Sequence, residues 1–143
     1  MPMTISFPGG VAVDATFHGH TIFTDQPTSA GGGDTASAPF DLFLASIGTC
    51  MGFYALRFCQ ERGIATEGLG LSLRFEREPD GKRLARVRAE LTLPHGFPEK
   101  YHAAIVRAVD QCAVKKALMR PPEFDVALVD LVSSGAAAVS APA

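Results

Sequence analysis

Three thiols, Cys50, Cys59 and Cys112, are the side chains in this 143-residue chain best suited to covalent chemistry. Their odd number and the absence of a Cys-x-x-Cys pair predict free thiols rather than a disulfide framework. A thiol attacks as its thiolate, and at an ordinary pKa of about 8.5 only a small fraction is ionised near neutrality. A reactive cysteine therefore needs something nearby that favours negative charge. Cys50 sits in a run, Leu42 to Leu56, that carries no charged side chain. Cys59 follows nine residues later, and nine steps of about 100° put it on the opposite side of a helix. Cys112 precedes two lysines, Lys115 and Lys116. Packing is the plainer role for each thiol, since free cysteines are among the most buried residue types. The cations available to Cys50 are His20, Arg57, Lys115, Lys116 or a group from a second chain. Residues 1–56 contain no Lys or Arg and four acids, Asp14, Asp25, Asp34 and Asp41.

The elements that must position these thiols follow from the hydrophobic pattern. Val11, Val13, Ala15 and Phe17 alternate with polar residues, and His20–Asp25 reads as the return strand of a hairpin broken at Gly19. The Gln26–Ser37 stretch, with Pro27 and three consecutive glycines, reads as a flexible loop. Pro39–Arg62 reads as one long helix, capped by Ser37 or Thr35, opened by Pro39 and closed by Gly63. It is apolar nearly all round, yet too interrupted by Ser46, Gly48, Thr49 and Gly52 to read as a membrane span. Gly48 and Gly52 share a face that a second copy of the helix can approach closely. Leu69, Leu71, Leu73 and Phe75 form one face of a strand that turns at Pro79-Asp80-Gly81-Lys82. The return strand faces inward with Ala85, Val87, Ala89, Leu91 and Leu93. Pro98–Gln111 is an amphipathic helix with Tyr101, Ala104, Ile105, Ala108 and Val109 inward. A shorter helix over Val114–Met119 ends at Pro121-Pro122. Phe124–Val132 reads as a final strand covered on both faces. We expect one domain over 1–132 and a frayed tail over 133–143.

Composition narrows the class. Hydrophobic residues make up 47% and charged residues 20%, with a net charge of −2. These values argue for a globular chain and against a nucleic-acid partner. Surface scaling for this mass gives a folded area of roughly 7,000 Å² against roughly 22,000 Å² unfolded, enough burial for a core without disulfides or metal. The N-terminal residues lack the basic and apolar regions of a secretory signal, so a cytoplasmic location with no membrane partner is expected. His18 and His20 have no third ligand in a recognisable spacing, and the Gly31–Gly33 triplet belongs to no phosphate motif. No metal and no cofactor are expected.

The run Ala38-Pro39-Phe40-Asp41-Leu42-Phe43-Leu44-Ala45-Ser46-Ile47-Gly48-Thr49-Cys50 resembles the stretch that leads to the first cysteine of the OsmC/Ohr family. These are the osmotically inducible protein C and organic hydroperoxide resistance proteins. Cys112-Ala113-Val114-Lys115-Lys116-Ala117-Leu118 is similar to the family's second-cysteine motif, Cys-x-Val-x-x-x-Leu. The order of elements agrees from about residue 11 to residue 132. The resemblance implies an α+β fold in which antiparallel sheet wraps a long central cysteine-bearing helix, and two chains intertwine as a homodimer. It also implies reduction of organic hydroperoxides, with Cys50 attacking, Cys112 resolving and an external dithiol regenerating the pair. Asp41 would match the family's acidic partner. The family's N-terminal arginine has no counterpart here, and His20, at the start of the second strand, stands in the corresponding region. The competing expectation is an OsmC-like protein that holds a hydrophobic or electrophilic small molecule without peroxidase activity.

Overall fold

The computed structural model describes residues 2–129 and 139–141, which form three helices and three antiparallel sheets. The first sheet holds β1 (Thr4–Gly9), β2 (Ala12–Phe17) and β3 (His20–Thr24) in sequence order. His18 and Gly19 both take positive φ, 50° and 78°. That is what a two-residue hairpin turn needs if it is to follow the twist of its strands. β1 has no counterpart in the sequence reading. It is short and ends in Pro8-Gly9-Gly10, so turn signals mask its alternation. Ile5, Ala15 and Ile22 stand side by side across the three strands. This sheet makes no substantial packing contact with the helices, and Ile5, Phe7, Ile22 and Phe23 are exposed.

The Gln26–Ser37 stretch is more ordered than its composition predicts. Asp25, only 4% exposed, turns back into it. Its Oδ1 accepts from the Gln26 amide at 2.8 Å. Its Oδ2 accepts from the Gly33 amide at 3.0 Å, the Thr35 amide at 3.1 Å and the Thr35 hydroxyl at 2.8 Å. The Thr35 hydroxyl, then the Thr35, Gln26 and Gly33 amides, outweigh burial and hold the carboxyl at about 2. A Cβ at Gly32 would lie 1.8 Å from the Gln26 carbonyl oxygen, so the glycine run is what lets this loop close.

α1 (Pro39–Glu61) is the spine of the fold. Its N-cap is Ala38, not Ser37 or Thr35, because the Thr35 hydroxyl is committed to Asp25. Pro39 occupies a first-turn position, and Asp41 complements the positive end of the helix. At the other end Gly63 takes φ +62°. The Ile64 amide bonds the Cys59 carbonyl at 2.9 Å and the Gly63 amide bonds the Gln60 carbonyl at 3.2 Å. This paired reversal satisfies the last carbonyls and lays Ile64 against the core. β4 (Gly70–Arg77) and β5 (Leu84–Thr92) form the second sheet, with Leu71 opposite Leu91, Leu73 opposite Ala89 and Phe75 opposite Val87. Gly48 and Gly52 face Leu73 and Leu71 of β4. The expected helix-on-helix contact through these glycines is therefore corrected: the chain's own sheet occupies that face.

α2 (His102–Val109) and α3 (Ala113–Met119) pack on α1 beside the sheet. Ile105 and Cys59 are fully buried together, with Phe58, Tyr101, Ala104, Ala108 and Val109 around them, as the amphipathic pattern predicts. Arg62 closes this cluster, its guanidinium 3.6 Å above the Phe58 ring. The last strand differs from expectation. β6 (Val126–Leu128) pairs with β7 (Val139–Ala141), and Phe124, Val126, Leu128 and Val129 are exposed rather than covered. Pairing two short strands satisfies backbone groups but brings neither face to the core. Of the expected tail, only 139–141 is described, and it is a strand; the rest of 133–143 lies outside the described residues, as does 130–132.

Ile105→Ala should lower stability by about 2–5 kcal/mol in denaturant unfolding, since it empties a fully enclosed site. The Asp25 carboxyl is depressed from 3.8 to about 2, so its contribution is present above 3.8 and disappears as pH falls toward about 2. Amide exchange in residues 26–35 should lose protection over that interval in the wild type. In Asp25→Asn the protection should already be weak at neutral pH.

Candidate active site

The α2–α3 corner brings Cys112 to Cys50. The Cys112 amide bonds the Val109 carbonyl at 3.2 Å, ending α2, and the next residue begins α3. Cys112 takes a non-helical backbone (φ −44°, ψ 119°), and its Sγ accepts from the Lys115 amide at 3.4 Å, the role a serine oxygen plays at a helix start. Its thiol is wholly buried between Ile47, Met51 and Val109 and lies 3.9 Å from the Ile47 carbonyl oxygen. Cys50, one turn further along α1 than Ile47, packs on the same cluster but remains partly exposed.

The first turn of a helix leaves its N–H groups without internal partners. Here the Val114 and Ala113 amides, together with the Cys112 thiol, are the groups that favour a charged Cys50. Burial pushes the Cys50 thiol up, but the Val114 amide, the Cys112 thiol and the Ala113 amide outweigh it and hold the thiol below its usual range. Cys112 moves the other way. Burial raises it, the Lys115 and Val114 amides oppose this, and the hydrogen bond and negative charge of Cys50 add to the rise. Cys59 is raised by burial, which Arg62 offsets only in part. Two thiols this close titrate as a pair, with the first proton lost from the shared site. The pair divides into an acidic, accessible member and a buried member that keeps its proton.

None of the cations considered from sequence takes this role within the chain. Lys115 binds Asp110, Lys116 donates to Gln111 at 2.6 Å, and Arg57 pairs with Glu61 at 3.0 Å. His20 is exposed on a sheet that does not pack on α1. Asp41 is exposed nine residues before Cys50, half a helical revolution away, beside Leu73 and Phe75. Neither is among the groups that act on the Cys50 thiol. The residues missed in the sequence are Ala113 and Val114, whose contribution is backbone rather than side chain. The available signal was their place just after a cysteine at a helix start. Among the described residues no cluster of three or more His, Cys, Asp or Glu side chains can hold a metal ion.

The sequence matches the OsmC-like protein family over residues 31–127. The chain belongs to this family, and both thiols and the corner that joins them fall within the matched span. No curated protein matches the sequence. Among solved structures, the chain is similar to one from Psychrobacter arcticus 273-4 described as an osmotic stress induced and detoxification response protein. The two are 19% identical with a TM-score of 0.67, over 80% of this chain and 85% of that one. It is also similar to the organic hydroperoxide resistance protein OsmC of Legionella pneumophila. Identity there is 17% and the TM-score 0.50, over 82% of this chain and 89% of that one. These likenesses establish the shared α+β fold.

Iodoacetamide should modify Cys50 first, with a pH midpoint below that of a free thiol, while Cys59 and Cys112 react only on unfolding. Ala113→Pro is a direct check of the amide contribution. Proline suits the first helical position, and the residue before it is already outside the helical region, so the helix should persist while one amide that favours the Cys50 thiolate is lost. The midpoint should move upward in this variant.

Proposed function

We propose that the protein is a stress-related thiol peroxidase that reduces organic hydroperoxides. The observation that carries this reading is the packing of a partly exposed Cys50 on the cluster that holds the wholly buried Cys112. The Cys50 thiolate attacks the outer oxygen of R–O–O–H. The O–O bond breaks, R–O⁻ takes up a proton to leave as the alcohol, and Cys50 becomes a sulfenic acid. Cys112 sulfur then attacks the sulfenic sulfur; a disulfide forms and water leaves with the Cys112 proton. An external dithiol exchanges with that disulfide and restores both thiols. The amides of Ala113 and Val114 do the work assigned elsewhere to a cation, since preorganised N–H dipoles favour negative charge without reorganising. Such chemistry requires a reducing compartment, consistent with the cytoplasm.

We also propose that the working unit is a homodimer. The chain exposes 10846 Å², roughly half as much again as the area of about 7,000 Å² expected for a compact monomer of this mass. Unpartnered apolar surface lies on the first sheet, on the outer face of α1, where Phe53 is 54% exposed, and at Val106, Leu118, Met119 and residues 124–129. In such a dimer His20 could meet Cys50 only from the partner copy.

Mixing the reduced protein with cumene hydroperoxide should consume two thiols per chain and release cumyl alcohol. Cys50→Ser should abolish consumption, and Cys112→Ser should stop at a sulfenic acid that dimedone traps. Retention of all thiols in the wild type would replace this reading with that of an OsmC-like small-molecule or electrophile binder. Light scattering should give a dimer mass, and Phe53→Glu should shift it to monomer.

A further inference from the structure

We propose that a cavity walled in part by the residues that enclose Cys112 binds an anionic amphiphile: a carboxylate with a medium-length alkyl tail. The cavity holds about 420 Å³ between α1, the β4–β5 hairpin and the α2–α3 corner, a volume typical of small-molecule sites. Its walls are Ile47 and Met51 of α1, Leu71, Val87 and Leu91 of the sheet, and Val109 of α2. The ionisable groups in this lining are Asp110 and Lys115, and the two bind one another.

Those two residues and Met119 also line a second hollow of about 430 Å³, to which Gln111, Lys116 and Arg120 contribute. The apolar chamber therefore adjoins a basin with three cations and one carboxylate. Asp110 is taken up by Lys115, and Lys116 donates to a neutral amide. Arg120 forms no ion pair among the described residues. Lys116 and Arg120 thus leave a surplus of positive charge in the hollow beside the apolar chamber. A guanidinium and a nearby ammonium suit a carboxylate, while the methionines Met51 and Met119 let the walls adapt to a flexible tail. A neutral alcohol with the same tail lacks the head-group contact, and a cationic head group meets repulsion. Cys50 does not line the chamber, so this binding is independent of whether Cys50 reduces peroxides.

Calorimetric titration of the reduced full-length protein with decanoate, decanol and decyltrimethylammonium, each below its micellar concentration, tests the proposal. Decanoate should bind once per chain, about tenfold or more tighter than decyltrimethylammonium, and equally in the wild type and Cys50→Ser. The surface double variant Lys116→Glu with Arg120→Glu should weaken decanoate by about tenfold, equal to about 1.4 kcal/mol, and leave decanol unchanged. Ala89→Trp should fill the chamber and weaken both decanoate and decanol; Val106→Trp, on the α2 wall, serves if Ala89→Trp does not fold. Equal affinity for the two charged head groups, or decanoate binding that survives charge reversal, would overturn the proposal. So would absence of decanoate binding together with dissociation of a dimer by Leu118→Glu, which would assign the chamber to a second copy of the chain.

Discussion

The placement of one buried sulfur organises this site. Cys112 starts a helix by accepting from the Lys115 amide, fills a gap beside Ile47 and Met51 with its S–H toward the Ile47 carbonyl, and belongs to the cluster on which Cys50 packs. Each of these contacts fixes the next. Because Cys112 caps α3, the Ala113 and Val114 amides lie in the first turn directly after it. Because β4, α2 and α3 all pack on α1, Cys50 is held beside the start of α3. Removing Cys112 would therefore loosen a helix start and open a void in the cluster on which Cys50 packs.

The same constraint explains the division of labour between chemically identical side chains. A thiol moved from water into a protein interior holds its proton more firmly unless donors compensate. Cys59 has burial with only a partial offset from Arg62. Cys112 has its amide donors opposed by the charge of Cys50. At Cys50 the donors prevail. No formal cation is needed for this ordering, which reconciles an acid-only segment over residues 1–56 with an acidic thiol.

Much of this is legible in the residues alone. The strict alternation through Leu71–Phe75 and Val87–Leu91, and the helical spacing of Tyr101, Ala104, Ile105 and Ala108, each have a single sensible reading. The opposite placement of Cys50 and Cys59 follows from helix geometry. Other features depend on groups distant in the chain. That Gly33 and Thr35 close on Asp25 cannot be read from a loop composition. Nor can the glycines of α1 reveal that Leu71 and Leu73, rather than another helix, fill their face. The activating amides leave no trace in the sequence pattern, because patterns advertise side chains, whereas every non-proline residue carries the same N–H. His20 and Asp41 stand out by residue type, and the fold of a single chain leaves both away from Cys50.

Which sulfurs join when the protein is oxidised is the most direct test of the paired site. Treating the native protein with one equivalent of an organic hydroperoxide, blocking the remaining thiols and mapping the peptides by mass spectrometry answers this. The expected product is a Cys50–Cys112 disulfide with Cys59 alkylated only after unfolding. A disulfide that includes Cys59, or full recovery of Cys50 and Cys112 as blocked thiols, would contradict it.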